Sequence, residues 1–202
     1  MYSLNLDYFS NINTEAQAYV LGYFYSRGTG RLQLNKDFLP ILHIIREELC
    51  CNAPINIYDK QISLNIVRRD FRDRLAAAGC KNNRFINSHL PNIPPELFRH
   101  FLRALFENYG RLYYVKHKYP NVSLTLNDCL TNEVRALLKT ALDISTHHIF
   151  RQPHTNSTEI LITQHHSTST FLYYISANAT QNYCHARKLK KYRDFVEKGV
   201  YI

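Results

Sequence analysis

The chain has 202 residues, 45% of them hydrophobic, which is enough to bury a substantial core as one large domain or two fused half-size units and excludes a disordered chain. Twenty-five Lys and Arg against sixteen Asp and Glu leave a formal charge of +9, so the expected partner class is an anionic macromolecule. Charge alone does not separate DNA, RNA and anionic membrane, although no apolar run reaches the roughly 18 residues of a membrane span.

Met1 to Ser10 has neither an apolar signal core nor an Arg/Ser-rich transit pattern, so no cleaved leader is expected. The first clear element runs from Asn13 or Thr14 to Arg27, with Thr14 and Gln17 at capping-box spacing, and it stops at Gly28-Thr29-Gly30. Arg31 to Asn35 then alternates polar and apolar like a half-solvated strand. Asp37 is placed to cap a helix through Leu49, with Pro40 tolerated near its first turn. Ile55 to Tyr58 and Gln61 to Ile66 read as a hairpin about Asp59-Lys60. A helix from Arg69 to Ala78 ends at Gly79, and Pro91, Pro94 and Pro95 mark a connector.

From Pro95 the order repeats: a helix to Tyr109, Gly110, a strand Arg111 to His117, a strand Val122 to Leu126, and a helix Leu130 to Leu142. Strand candidates follow at Ile149 to Gln152, Ile160 to Gln164 and Phe171 to Ser176, before a basic C-terminal helix. The chain therefore reads as an internal duplication, 1–90 and 91–202, forming one pseudo-dimeric unit of α/β (α+β) class. Five cysteines (Cys50, Cys51, Cys80, Cys129, Cys184) with no C-x-x-C pair argue against a disulfide framework and a zinc site. The expected location is an intracellular, reducing compartment, without distinguishing cytoplasm, nucleoid, nucleus or organelle.

Two segments stand in equivalent places, Ala18–Gly28 (AYVLGYFYSRG) and His100–Gly110 (HFLRALFENYG), their last glycines 82 positions apart (110 − 28). Gly22 and Ala104 are small residues at equivalent positions of the two segments. Each segment resembles the motif of the LAGLIDADG homing endonucleases, a helix with small residues at the packing face that ends in an acid followed by glycine. The connector from Gly79 to Phe101 and the ending Tyr173 to Thr180, followed by Tyr183 and a basic helix, are also similar to single-chain members. The resemblance covers nearly the whole chain. It implies two pseudo-symmetric repeats, each an antiparallel sheet saddle backed by helices, and duplex DNA as partner of a monomer with internal pseudo-twofold symmetry.

In that family the acid before each final glycine binds divalent metal, which needs hard oxygen ligands to activate water and stabilise the leaving oxygen. This sequence has Arg27 and Tyr109 there. Arginine stays charged and would repel a metal, and neutral tyrosine is a poor ligand. Glu107 matches the motif's other acid, which in the family serves helix-end structure, and Tyr25 is its counterpart. The alternative is that another acid, such as Asp70 or Glu15, swings in. The expectation is no intact catalytic pair, no bound metal and no cofactor, with Mg²⁺ relevant only to residual nuclease activity. Arg27 then either contacts a phosphate or points into solvent.

If the strands lie in a major groove, Arg31, Gln33, Asn35, Asn56, Tyr58, Gln61, Ser63 and Asn65 form one polar face over Leu32, Leu34, Ile55, Ile57, Ile62, Leu64 and Ile66. Arg with guanine and Asn or Gln with adenine are the favoured bidentate pairs. In the second half the parity gives Arg111, Tyr113, Val115 and His117, with Ser123, Thr125 and Asn127 beside them. Lys116 and Lys118 fall on the opposite face unless a bulge intervenes. Arg68, Arg69, Arg72 and Arg74, and Arg187, Lys188, Lys190, Lys191 and Arg193, are candidate phosphate clamps. The pairs His147-His148 and His165-His166 have no Cys or acid at ligand spacing, which favours surface or phosphate-facing roles over a metal.

Three functions remain open at this level. One is a sequence-selective DNA-binding protein whose nuclease activity is lost, another an RNA-binding intron maturase acting on structured RNA, and the third a divergent but active endonuclease.

Overall fold

The structure, a computed structural model, describes residues 2–28, 30–80, 89–115, 119–146, 148–152, 157–177, 179 and 183–198. The first half contains α1 (Glu15–Arg27), β1 (Arg31–Asn35), a 3₁₀ turn (Lys36–Phe38), α2 (Leu39–Glu48), β2 (Ile55–Ile57), β3 (Gln61–Asn65) and α3 (Arg69–Ala77). The second contains a 3₁₀ turn (Pro95–Leu97), α4 (Phe98–Tyr109), β4 (Gly110–Val115), β5 (Tyr119–Asn127), α5 (Asp128–Leu142), β6 (His148–Gln152), β7 (Ser157–Ile162), α6 (His165–Ser176) and α7 (Ala186–Lys198). Two antiparallel sheets result, ordered β1-β3-β2 and β4-β5-β7-β6.

Helix α1 starts on the capping box: the Gln17 amide donates to Thr14 Oγ1 at 3.2 Å, and the Gln17 side chain accepts from the amides of Asn13 and Thr14. It ends at Gly28, whose φ of 91° turns the chain while its N–H still donates to Phe24 O. Between those ends, residues 18–26 are buried without interruption, and so are residues 100–107 of α4. A helix buried all round is a central element rather than a surface one.

The two central helices cross at Gly22. A Cβ built there would lie 2.7 Å from Ala104 Cβ and 2.7 Å from the Phe101 carbonyl oxygen, so even a methyl group does not fit. Both sheets turn their apolar faces to this pair. In the first, Leu32 pairs with Leu64, and Leu34 with Ile62; in the second, Leu112 pairs with Val122, and Leu124 with Ile160.

Arg103, only 1% exposed, fastens the C-terminal part of the chain to this centre. Its Nε donates to Ile175 O at 2.5 Å, and its Nη1 donates to Tyr183 O at 2.9 Å and to Glu15 Oε1 at 3.0 Å. One guanidinium thus takes up a carbonyl from the last turn of α6, which lacks an intrahelical donor, together with a carboxylate. His100 Nδ1 lies 3.1 Å from the same Glu15 oxygen. Burial pushes the Glu15 carboxyl up, but His100 and Arg103 outweigh it, and the net shift is downward from 4.5.

Two expectations are corrected here. Phe171–Ser176 is helix, not strand, because α6 begins at His165 and buries Thr168, Phe171, Leu172 and Ile175 at helical spacing. A strand would put Tyr173 on the face of Phe171 and Ile175, yet Tyr173 is 61% exposed while both of those are buried. His165 and His166 accordingly sit in a first helical turn rather than on a strand. Asp37 does not cap α2: it lies inside the 3₁₀ turn that precedes the helix, where no side-chain cap is made.

A third difference concerns the repeat itself. Asn35 and Asn127 each close a strand that leads straight into a helical segment, and β1 and β5 each pair antiparallel with the last strand of their half. By pairing, β1 is the counterpart of β5, and β4 has no counterpart among the described residues. The two asparagines are 92 positions apart (127 − 35), whereas the motif glycines are 82 apart, so the second half carries ten extra residues as a hairpin arm.

Two outcomes follow from this packing. Gly22→Ala should lower the melting temperature and Gly22→Leu should lower it further, at roughly 1–3 kcal/mol or more from overpacking. Adding Ala104→Gly should restore only part of the loss in Gly22→Ala, since the Phe101 carbonyl still obstructs; full tolerance of Leu by thermal denaturation would contradict the crossing. The depressed Glu15 carboxyl contributes stability above its ordinary value near 4.5 and loses it as pH falls through and below that value. Urea unfolding from neutral pH to about pH 3 should therefore show a steeper decline for the wild type than for Glu15→Gln.

Candidate nucleic-acid interface

Side chains that pair across an antiparallel register share a face. In the first sheet the pairs are Arg31 with Asn65, Gln33 with Ser63, Asn35 with Gln61, and Asn56 with Ser63. Every pair is polar, and the apolar residues of the same strands form the opposite face. Tyr58 follows β2, its amide donating to Gln61 O at 2.8 Å, and it is exposed. Gln33 and Gln61 are hydrogen-bonded to each other across the strands.

In the second sheet the same face holds Arg111 and Tyr113 on β4, and on β5 Asn121 and Thr125. It also holds Glu159 and Leu161, which register to Thr125 and Ser123 and which strand parity within one half could not reveal. Glu159 and Leu161 escape the sequence because which residues of β7 share the face of Ser123 and Thr125 depends on pairing, and Asn121 escapes it because β5 begins at Tyr119, ahead of the expected start at Val122. This face is less polar than the first and carries an acid.

Several expected contacts are placed differently. Ser63 and Ser123 have the correct parity but are 0% and 1% exposed. Each is a short side chain on a central strand, covered by longer cross-strand neighbours, Gln33 and Asn56 for Ser63, and Arg111 and Leu161 for Ser123. Asn127 caps α5 by accepting from the Leu130 amide at 3.0 Å. Arg68 forms a forked pair with Asp70, Nε to Oδ1 at 3.1 Å and Nη2 to Oδ2 at 2.5 Å, so its charge is already met. Arg69, Arg72 and Arg74 are exposed on α3. His117, with Lys116, Lys118 and His147, lies outside the described residues.

The basic C-terminal helix divides by face. Lys190 is exposed, as are Arg187 and Arg193. Lys191 is also exposed, though its ammonium donates to Leu112 O at 3.0 Å. Lys188 instead turns inward: it donates to the Glu107 carbonyl oxygen, and its Nζ lies 5.4 Å over the Phe38 ring. Burial pushes its ammonium down from the ordinary lysine range, against the attraction of Glu107 and Asp37. Lys188 thus fastens α7 to the end of α4 and is not a free phosphate clamp.

Where the two motif helices end, the chemistry is unlike that of a metal centre. The Tyr109 hydroxyl donates to the Ser26 carbonyl oxygen, tying the end of one motif helix to the other. The Arg27 guanidinium carbon sits 5.2 Å from the Tyr109 ring centroid. The remaining motif acid, Glu107, is buried and accepts from Tyr19 Oη at 2.6 Å, Tyr23 Oη at 2.8 Å and the His185 amide at 2.8 Å. Burial pushes its carboxyl up from the usual range, while these three donors pull the other way. The carboxylate is consumed by structure, and a cation on the adjacent helix end opposes a divalent ion, so the residues present do not fit one. Among the described residues no three His, Cys, Asp or Glu side chains gather to hold a metal.

A cavity of about 330 Å³ opens beside this helix end, lined by Arg27, Tyr109, Arg31, Gln33, Asn35 and Gln61 among others, none of them acidic. It joins the Arg–Tyr stack to the polar face of the first sheet. No helix among the described residues is long and apolar enough to cross a membrane.

No protein-family model and no curated protein matches the sequence. Solved structures do match. Full-length DUF199/WhiA from Thermatoga maritima superposes with a TM-score of 0.55 at 17% identity, over 98% of this chain and 66% of that one, so the chain spans just under two thirds of that protein's length. A single-residue variant of I-DmoI in complex with its target DNA in the presence of magnesium gives 0.52 at 16%, over 87% and 99% of the two chains. The LAGLIDADG meganuclease I-AabMI bound to uncleaved DNA gives 0.55 at 12%, over 93% and 91%. The strand pairing, the small-residue helix crossing and these superpositions agree, and the chain has the LAGLIDADG homing-endonuclease fold.

Proposed function

We propose that this chain binds duplex DNA with sequence preference, as a monomer that uses both halves, and that it does not cut the duplex. The observation that carries the reading is the run of polar cross-strand pairs on the first sheet, Arg31 with Asn65 and Asn35 with Gln61, directly beside motif-helix ends that carry Arg27 and Tyr109. Amide side chains on a sheet of this kind suit base edges in a major groove, which is about 12 Å wide in B-DNA. Structured RNA is the less suited partner, because its major groove is deep and narrow. The formal charge of +9 supports attraction to phosphate without specifying sequence. Relatives of the fold solved with DNA support the choice of partner.

The lack of cutting follows from electrostatics. Two-metal hydrolysis needs carboxylates at the helix ends, and here one position carries a permanent cation and the other a hydroxyl engaged with Ser26. The preference is expected to be uneven, since the second face substitutes Leu161 and Glu159 for amides, although Glu159 can accept from a cytosine amino group.

Selection from random duplex and RNA pools in parallel tests the partner: a convergent duplex motif, better defined at one end, is expected, and convergence in the RNA pool alone would favour the maturase reading. Incubation of the selected duplex with Mg²⁺ or Mn²⁺ should leave it intact, and double-strand cleavage abolished by Glu107→Gln would overturn the non-cleaving reading. Gln33→Ala and Asn56→Ala should each relax preference at one end of the motif by about 1–3 kcal/mol. Equal weakening on every sequence would show contact with the backbone instead.

A further inference from the structure

The end of the first motif helix carries an unusual charge arrangement. Neither Arg27 nor Arg31 is in an ion pair among the described residues, and both line the 330 Å³ cavity, which has no acidic lining residue. Arg27 is half-buried, and its Nε is shut off from solvent with no hydrogen-bond partner among the described residues. A buried guanidinium N–H without an acceptor is costly unless something supplies one.

The plainest alternative is that Arg27 only complements the end of α1. That role is small and already shared: the Ser26 carbonyl accepts from Tyr109, and each helix C-terminus amounts to about half a negative charge. Two full guanidinium charges outweigh two such ends, so the cavity keeps a positive field. Its remaining polar groups, the side-chain amides of Gln33, Asn35 and Gln61, add donors without adding negative charge.

We infer that this cavity is a seat for a phosphate oxyanion, held by Arg31 and by Arg27, whose guanidinium is backed by the Tyr109 ring. The phosphate is either a backbone phosphodiester of the bound duplex or free inorganic phosphate. The first source rests on the duplex-binding reading; the second does not.

The test uses the full chain with Arg27→Gln and Arg31→Gln, the latter at an exposed position that leaves folding intact. One arm measures melting temperature in inorganic phosphate against chloride at matched ionic strength. The other measures affinity for a random-sequence duplex across about 50–200 mM salt, where each phosphate contact contributes about 0.9 to the log–log slope. Stabilisation by phosphate in the wild type but in neither variant, with the slope shallower by about 1 in each, establishes the seat with a phosphodiester as its ligand. Loss of phosphate stabilisation with an unchanged slope, or in a wild type that binds no duplex, keeps the seat and assigns it free phosphate. Wild-type behaviour of both variants in both arms overturns it. Should Arg27→Gln not fold, Arg31→Gln decides alone.

Discussion

The close approach of α1 and α4 at Gly22 and Ala104 is the constraint on which the rest of the molecule depends. Helices normally pack with their axes 8–10 Å apart, the separation set by the side chains at the contact. Here one partner contributes no side chain and the other a single methyl, so the backbones meet directly. Because each helix leads into one sheet, this contact sets the spacing of the two sheets, and hence which groups share a surface. The polar interior follows the same logic. Glu107, Tyr19 and Tyr23 bridge the helix pair with buried hydrogen bonds, and Arg103 and Glu15 bridge it to the C-terminal segment. Buried groups of this kind hold one arrangement in place because any other would leave a charge unmet.

At the helix ends, Arg27 and Tyr109 set the local electrostatics. A carboxylate pair gathers cations and is silent toward phosphate until metal is present. A guanidinium stacked on a phenol attracts phosphate directly, and the phenol's hydroxyl is occupied with a helix carbonyl. On the proposed reading, this location anchors phosphate electrostatically rather than holding a metal. The Gly22 crossing and the Glu107 network lie apart from Arg27, whereas Tyr109 adds its own tie between the two helix ends.

The halves of the molecule are not equivalent. The first sheet has three strands and a nearly unbroken polar face, whereas the second has a fourth strand on its hairpin arm and a face interrupted by Leu161 and Glu159. Extended reach and dense hydrogen-bonding capacity have been separated between them. On the proposed duplex-binding reading, such a surface reads one flank closely and contacts the other chiefly by shape and charge.

Much of this was legible in the sequence because it is local. Capping at Thr14, the left-handed glycines after α1 and α3, the period-two alternation of β1 and β3, and the two motif segments each depend on a handful of adjacent residues. What the sequence could not settle is non-local. The six-residue stretch Phe171–Ser176 alternates enough to pass for a strand, and only burial against α4 and α7 shows which face is inside. Pairing alone reveals that β1 matches β5, that Ser63 and Ser123 are covered by their neighbours, and that Glu159 and Leu161 enter the second face. Lys188 reads as a phosphate clamp in the chain but satisfies a carbonyl on a distant element, and nothing local marks Arg103 as the group that takes up the carbonyls of Ile175 and Tyr183. The physical reason is common to all of these: propensity and capping act within a turn or two of chain, whereas register, burial and charge pairing are decided by which distant segments the helix crossing brings together.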